Sequence, residues 1–246
     1  MKTTYVTLKP DMARAYREGR KKMTRRVMRV QPPGDGYELA WCASNTGSLS
    51  HVGRYHWIKR DVILDRDTKY FKCPYGHRGD QLIFGTTWSV PKELDHLKPI
   101  ELPVGHLAGL PVMTTSGTGA AFKPIPIWSY FDGDEKPEGF GKLRPGRFLP
   151  NKLRDRMPRE TLRIVRAERV QSITEKDAIS EGIDTECEQY HTAQNIMDNL
   201  GVVDGASHSV ERCSPEISVF KTLWDSINAA RGYSWDSNPW VWCIGW

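Results

Sequence analysis

Apolar and polar residues alternate with a period of two in several short segments, and this pattern predicts β-strands. The alternating segments cover residues 5–9, 23–30 and 161–170, and the largely apolar runs 81–87 and 240–246 predict two further strands. In the second of them, alternation puts Thr24 and Arg26 on one strand face and Arg25 on the other. The strand over 161–170 has a basic outer face, and 81–87 is apolar enough to be buried.

Apolar residues at helical spacing predict short helices between these strands. Asp11 is an expected N-cap for a helix that ends near Gly19, and Thr174 caps a helix that stops at Gly182. A third helix covers 218–230. Stretches rich in glycine, proline or polar residues predict insertions at about 31–72, 89–150 and 184–217, the last of them partly helical.

Short strands, a few short helices and no strand–helix–strand repeat favour an α+β barrel over a doubly wound sheet. The chain has 246 residues, of which 39% are hydrophobic and 26% charged, so it can build a core. We therefore expect one elaborated domain over residues 1–246.

The terminal sequence and the cysteines bear on location. The first residues lack the apolar stretch of a secretory signal, and no segment approaches the length of a membrane span. The five cysteines are odd in number and scattered, which is typical of reduced thiols. The sequence therefore predicts a cytoplasmic protein with no disulfides and no membrane partner.

Charge is unevenly distributed around a net value of +5. Residues 1–30 hold ten Lys or Arg against two acidic residues, and residues 142–169 hold ten against three. Residues 174–216 hold ten acidic residues against two basic ones. The basic segments could form a surface for phosphates, or their charges could be solvated or paired with the acidic segment.

Four segments carry motifs whose order is similar to that of a known family. They are residues 18–26 with the pattern Gly-x-Lys-x-x-Thr-x-Arg, residues 73–88 with Gly79-Asp80 and Thr86-Thr87-Trp88, residues 170–183, and residues 220–244 with Asn238-Pro239-Trp240. Together they resemble the ASCH family of the PUA-like superfamily, in particular the larger ASCH proteins of bacteriophages. The resemblance implies a PUA-like (ASCH) mixed β-barrel with short flanking helices and long loop insertions. It also implies the host cytoplasm, if a phage encodes the chain.

The resemblance implies a chemistry as well. Small ASCH proteins that hydrolyse the amide of N-acetylated cytidine use a Lys, a Thr three residues later and a Glu after a barrel strand, which fall here on Lys21, Thr24 and Glu181. A desolvated Lys can take the proton of Thr, and Glu can carry a proton to the departing amine. Arg26 could hold a phosphate or a carbonyl oxygen. Relatives often carry Glu where this chain has Thr87, so no carboxylate role is carried over there.

The same residues also have an ordinary structural interpretation. Lys21 and Arg26 would then be surface cations, Thr24 a strand residue and Glu181 the cap of a helix end. Both interpretations are open at the level of sequence.

Other motifs predict less. Cys73 and His77, with Cys42, His51 or His56, could supply a zinc set, but the spacing is irregular and we predict no metal. The tryptophans of 240–246 could stack bases or fill a barrel core, and the core is favoured. The sequence contains no phosphate-binding glycine loop, so we expect no cofactor.

Three functions remain as hypotheses. The first is an amidohydrolase acting on an acylated pyrimidine nucleoside, and the second a non-catalytic module that binds RNA or modified DNA. A ribonuclease is the third, without a His pair or carboxylate cluster to support it. Oligomeric state is open. The residues expected to bind substrate or nucleic acid are Arg20, Arg25, Arg26, Arg154, Arg159 and Trp88.

Overall fold

The computed structural model describes residues 1–42, 52–59, 69–102, 109–112, 121–124, 126–200 and 214–246. Its strands are β1 (Thr3–Thr7), β2 (Met23–Val27), β3 (Tyr37–Trp41), β4 (Tyr55–Lys59), β5 (Gln81–Gly85), β6 (Trp88–Ser89), β7 (Gly109–Val112), β8 (Ala121–Pro124), β9 (Trp128–Ser129), β10 (Arg159–Thr161), β11 (Ile164–Arg169) and β12 (Trp240–Gly245). Its α-helices are α1 (Pro10–Arg17), α2 (Glu175–Ser180), α3 (Glu188–Leu200) and α4 (Pro215–Asn228).

The chain folds into two compact units, each assembled from separate segments. The first unit comprises Met1–Lys2, Lys22–Asp80 and Thr161–Trp246, and the second comprises Thr3–Lys21 and Gln81–Glu160. The single domain expected from the sequence stays a prediction.

The first unit is built on an antiparallel sheet with strand order β11-β12-β2. In its register Ile244 pairs with Thr24, Trp242 with Arg26, and Cys243 with Arg25. One face packs on α2 and α4 through a cluster that includes Val241 and Cys243. The other face packs on the β3–β4 hairpin through Met28, Trp57, Cys73 and Trp242. The alternating faces predicted for β2 are therefore confirmed.

Helix α2 is fixed by local sequence at both ends. The Thr174 hydroxyl accepts a hydrogen bond from the Asp177 backbone N–H at 3.2 Å, which satisfies one free N–H of the first turn. Gly182 follows the helix with φ of 95°, a conformation that glycine adopts without strain. The Lys22 N–H donates to the Ser180 carbonyl at 2.8 Å, so the end of α2 meets the start of β2.

The second unit contains the sheet β1-β5-β10, in which β1 and β5 run parallel. Its core draws on residues far apart in the sequence, namely Ile83, Trp88, Val90, Leu94, Leu102, Leu149, Leu153 and Met157. Helix α1 begins at Pro10 with Lys9 as N-cap, not at Asp11. Proline suits the first helical position because the N–H it lacks would have no partner there.

The α+β class is confirmed, and the described strands form several small sheets rather than one closed barrel. Residues 89–150, expected to be loop, include the short strands β6 to β9 and several 3-10 turns. Strands β6 and β9 have two residues each, too few to give a detectable alternation in the sequence. Within the described part of the chain, no helix is long and apolar enough to cross a membrane.

Candidate functional site

The three residues assigned to hydrolysis are all buried. The exposed fraction is 3% for Lys21, 5% for Thr24 and 4% for Glu181. Long charged side chains are seldom buried to this extent, because removing an ammonium or carboxylate from water costs several kcal/mol unless it is paired. Lys21 is therefore not the surface cation of the structural interpretation.

Thr24 and Glu181 belong to the first unit and lie near the same junction. Thr24 is the second residue of β2, and Glu181 is the C-cap of α2, directly after the residue whose carbonyl binds Lys22. The Glu181 N–H donates to the Asp177 carbonyl at 2.9 Å, which holds the cap in place. The strand start and the helix end are thus positioned by backbone hydrogen bonds.

Lys21 is the last residue of its segment of the second unit. Its N–H donates to the Ala15 carbonyl at 3.0 Å, at the end of α1. Lys21 precedes Thr24 by three residues in the sequence. That its amine lies in one site with the side chains of Thr24 and Glu181 stays a prediction.

Arg25 lies on the helix-side face of the sheet and is surrounded by carboxylates. Its Nη2 lies 2.6 Å from an oxygen of Glu168 and 2.7 Å from one of Asp177. Its Nη1 lies 3.3 Å from Glu181 Oε1. Arg166 bonds both Glu168 and Asp177 from the rim of this cluster. We call these five residues the buried charge network.

The network sets the ionisation of its members. Burial by itself raises the pKa of Glu168, but hydrogen bonds from Arg166 and Arg25 outweigh it, and the net pKa lies below the usual range. Burial raises the pKa of the Cys243 thiol, which faces the network from β12. Burial by itself lowers the pKa of Arg25, but Glu181 and the hydrogen bonds to Glu168 and Asp177 outweigh it. The net pKa therefore lies above the usual value, and the guanidinium stays charged.

Arg25 was expected to contact substrate or nucleic acid, and its geometry differs from that expectation. Its side chain has no exposed surface, and its donors already reach three carboxylates. The sequence showed which strand face Arg25 occupies but not that α2 covers this face. A guanidinium in this position stabilises the fold and has no path to an external phosphate.

Thr24 points to the opposite sheet face, together with Arg26 and Trp242. Trp242 packs edge-on against Tyr55, with 4.9 Å between the ring centroids. Trp240 packs against Trp57, with 5.2 Å between the ring centroids. Among the described residues, the buried indole nitrogens of Trp57 and Trp240 have no acceptor. Thr24 and Glu181 therefore lie close along the backbone but approach the sheet from different faces.

Trp88 was expected to bind substrate or nucleic acid, and the structure instead buries it completely. It lies in the core of the second unit, where the Arg144 guanidinium is 5.4 Å from its ring centroid and its indole N–H donates to the Pro145 carbonyl. Because no part of the ring is exposed, Trp88 cannot stack a base in this fold.

The remaining predicted binding residues are only partly available. Arg20 pairs with Glu18, and Arg159 pairs with Asp155, in both cases at the surface. The Arg154 guanidinium lies 4.0 Å from the Tyr5 ring centroid, and this contact holds it against the second unit. Arg26 is half-buried beside Trp242. Of these, Arg159 is the most exposed cation.

A groove in the second unit was not singled out from the sequence. It has a volume of about 470 Å³ and is lined by Pro99, Ile100, Leu102, Arg147, Phe148, Leu149, Pro150, Asn151 and Lys152. The signal was present in the basic segment 142–169, where Phe148 is an aromatic residue directly after a cation. We call this feature the Phe148 groove.

The zinc alternative gains no support. Within the described ranges, no three His, Cys, Asp or Glu side chains come together in a way that could hold a metal ion. Burial raises the pKa of Cys73, which disfavours the thiolate that zinc requires. His51, one of the candidate ligands, lies outside the described residues.

Comparison of the chain with protein-family models, with curated proteins and with solved structures found no match.

Proposed function

We propose that the protein handles nucleic acid or a modified nucleoside, and that it hydrolyses the exocyclic amide of an acylated pyrimidine. In this proposal Lys21 is the base, Thr24 the nucleophile and Glu181 the carrier of a proton to the amine. Because Glu181 lies on the Arg25 face of the sheet and Thr24 on the other face, the proposal requires the amide to bind at the start of β2, where the two faces meet. One observation supports it above the others: a lysine, a threonine and a glutamate predicted to act together are all buried. Charged side chains are seldom buried to this extent unless they are paired or have a specific role.

The steps balance as an acyl transfer to water. The neutral amine of Lys21 takes the proton of the Thr24 hydroxyl as Thr24 Oγ attacks the amide carbonyl. The carbon–nitrogen bond breaks, and the Glu181 carboxylate carries the proton held by Lys21 to the departing amine. Lys21 then takes a proton from water as the hydroxide attacks the threonyl ester, and returns it to Thr24 Oγ as the carbon–oxygen bond breaks. The carboxylic acid is released, and all three side chains regain their starting protonation states.

The ASCH relation, its PUA-like barrel and a cytoplasmic location belong to the same proposal. Support comes from the α+β class, from the position of Thr24 and Arg26 on one face of β2, and from the free thiols of the described cysteines.

The test is incubation of the purified chain with acetylated cytidine and other acylated nucleosides, followed by mass spectrometry of the products. We expect release of the acid, with turnover lost in Thr24→Val and Lys21→Met and strongly reduced in Glu181→Gln. Lys22→Met and Thr161→Val change exposed residues of the same types and should keep full turnover. Wild-type inactivity on every substrate, or full activity of a folded Thr24→Val variant, would refute the proposal.

Binding without catalysis is the second candidate. The specific observation in its favour is the exposure of Lys142, Arg147, Lys152, Arg156 and Arg159, five cations of the basic segment 142–169. Cations in this number would neutralise several phosphates and release their counterions.

A further inference from the structure

The Phe148 groove is held open by its own backbone. Pro99–Glu101, Gly146–Phe148 and Asn151–Arg156 are 3-10 turns, and each follows or begins with a proline. The Phe148 N–H donates to the Pro145 carbonyl at 3.0 Å, and the Glu101 carboxylate accepts from the Lys98 N–H at 2.7 Å. Proline fixes φ, so the backbone of these turns loses little conformational entropy when a ligand enters.

The groove exposes apolar surface that folding has left uncovered. Ile100 is 87% exposed and Phe148 is 52% exposed, while Leu102 and Leu149 beneath them are buried. Clustered exposed apolar side chains next to a concavity are typical of a binding surface. A volume of about 470 Å³ is within the range that holds a nucleotide-sized ligand.

The charged residues at the groove favour a ligand of negative charge. Arg147 and Lys152 are exposed lining residues, and no carboxylate is among the described residues that line it. The Arg147 guanidinium lies 4.7 Å from the Phe148 ring centroid, so a cation and an aromatic ring are presented together. The ligand should therefore carry negative charge beside a flat apolar group.

We infer that the Phe148 groove binds single-stranded nucleic acid, with the Phe148 ring stacking a base and with Arg147 and Lys152 holding the neighbouring phosphates. Each nucleotide offers one ring and one phosphate, which matches the paired ring and cation here. A duplex hides its base faces, and poly-glutamate supplies charge without a ring. The inference rests on the proposed nucleic-acid ligand but not on hydrolysis.

The experiment is fluorescence anisotropy with end-labelled single-stranded RNA and DNA oligonucleotides of about twelve bases and the full chain. We expect Phe148→Ala to weaken binding by about tenfold, since one stacked base is lost, and Phe148→Trp to keep or strengthen it. Arg147→Gln and Lys152→Gln should each reduce the slope of log affinity against log salt by about 1.

Matched controls isolate the groove. Leu143→Ala removes an exposed apolar side chain outside the groove lining, and Lys92→Gln removes an exposed lysine outside it, so both should bind as wild type does. Unchanged affinity of Phe148→Ala, or equal competition by poly-glutamate or by duplex, would overturn the inference.

The hydrolysis assay on free nucleosides separates this inference from the proposed function. If Phe148→Ala loses oligonucleotide affinity but keeps nucleoside turnover, the groove is a binding surface in its own right. If wild type hydrolyses nothing yet Phe148→Ala still binds the oligonucleotides about tenfold more weakly, the groove inference holds and the hydrolase proposal fails.

Discussion

At the scale of single residues, burial decides what a charge can do. The sequence predicted that Arg25 and Arg26 point to opposite faces of β2, and the register agrees. It could not predict that the Arg25 face would be covered by α2 and three carboxylates, because those residues lie more than 140 positions away in the chain. Periodicity gives the face of a residue, whereas long-range packing gives its surroundings.

Replacing Arg25 with methionine tests the buried charge network. The change leaves three carboxylates without their central cation, so we expect a loss of about 3–5 kcal/mol in the free energy of unfolding. Urea denaturation followed by circular dichroism measures it. Arg29→Met, at an exposed position close by, should stay within about 0.5 kcal/mol of wild type. An equally small effect of Arg25→Met would show that the network is weakly coupled to stability.

Glu168 makes the stability of the network depend on pH. Its pKa is lower in the folded chain than in the unfolded chain, so its contribution is present above the ordinary glutamate pKa. That contribution disappears as the pH falls through the folded pKa, because protonation then occurs in both states. We expect the difference in urea midpoint between wild type and Glu168→Gln to be largest near neutral pH and to shrink in acid. A difference that does not vary with pH would contradict the assignment.

At the scale of elements, the parts that follow local rules could be predicted. Thr174 and Gly182 bound α2 as expected, because capping depends on residues within one helical turn. The β3–β4 hairpin inside the insertion 31–72 and the 3-10 turns of 89–150 were predicted only loosely or not at all. Their stability depends on contacts between residues that are distant in sequence. In the hairpin, one such contact is that of Trp57 with Trp240.

Thr174→Ala tests the start of α2. Loss of the cap bond to the Asp177 N–H should cost about 1 kcal/mol and lower the melting temperature by a few degrees. Thr222→Ala is the control, because Thr222 is exposed within α4 and alanine has the better helix propensity there. Equal melting temperatures for both variants would show that the cap contributes nothing.

At the scale of the whole molecule, composition predicted a folded chain, and the pattern of strands and helices predicted the α+β class. Charge left open whether the basic segments form a surface for phosphates. The division into two compact units could not be predicted, since each unit combines segments that are distant in sequence. Of the candidate site, the buried residues Thr24 and Glu181 were identified through motif resemblance, while the Phe148 groove depends on a concavity that no local pattern reveals.

If the exposed cations of residues 142–159 bind phosphates, the affinity for nucleic acid should depend on salt concentration. If three to five phosphates are neutralised, log affinity for a single strand should fall against log salt with a slope of about −2 to −4. Anisotropy titrations between about 50 and 200 mM salt measure this slope. A slope near zero would show that the exposed cations of residues 142–159 do not contact the backbone of the ligand.

The position of Cys243 has a practical consequence. Its sulfur lies behind β12 in a fully enclosed place, where burial keeps the pKa of the thiol high. An alkylating reagent can modify it only while the sheet of the first unit is transiently open. The rate at which Cys243 is alkylated, measured by mass spectrometry of its peptide, would therefore report the rate of transient sheet opening. This measurement needs neither substrate nor ligand.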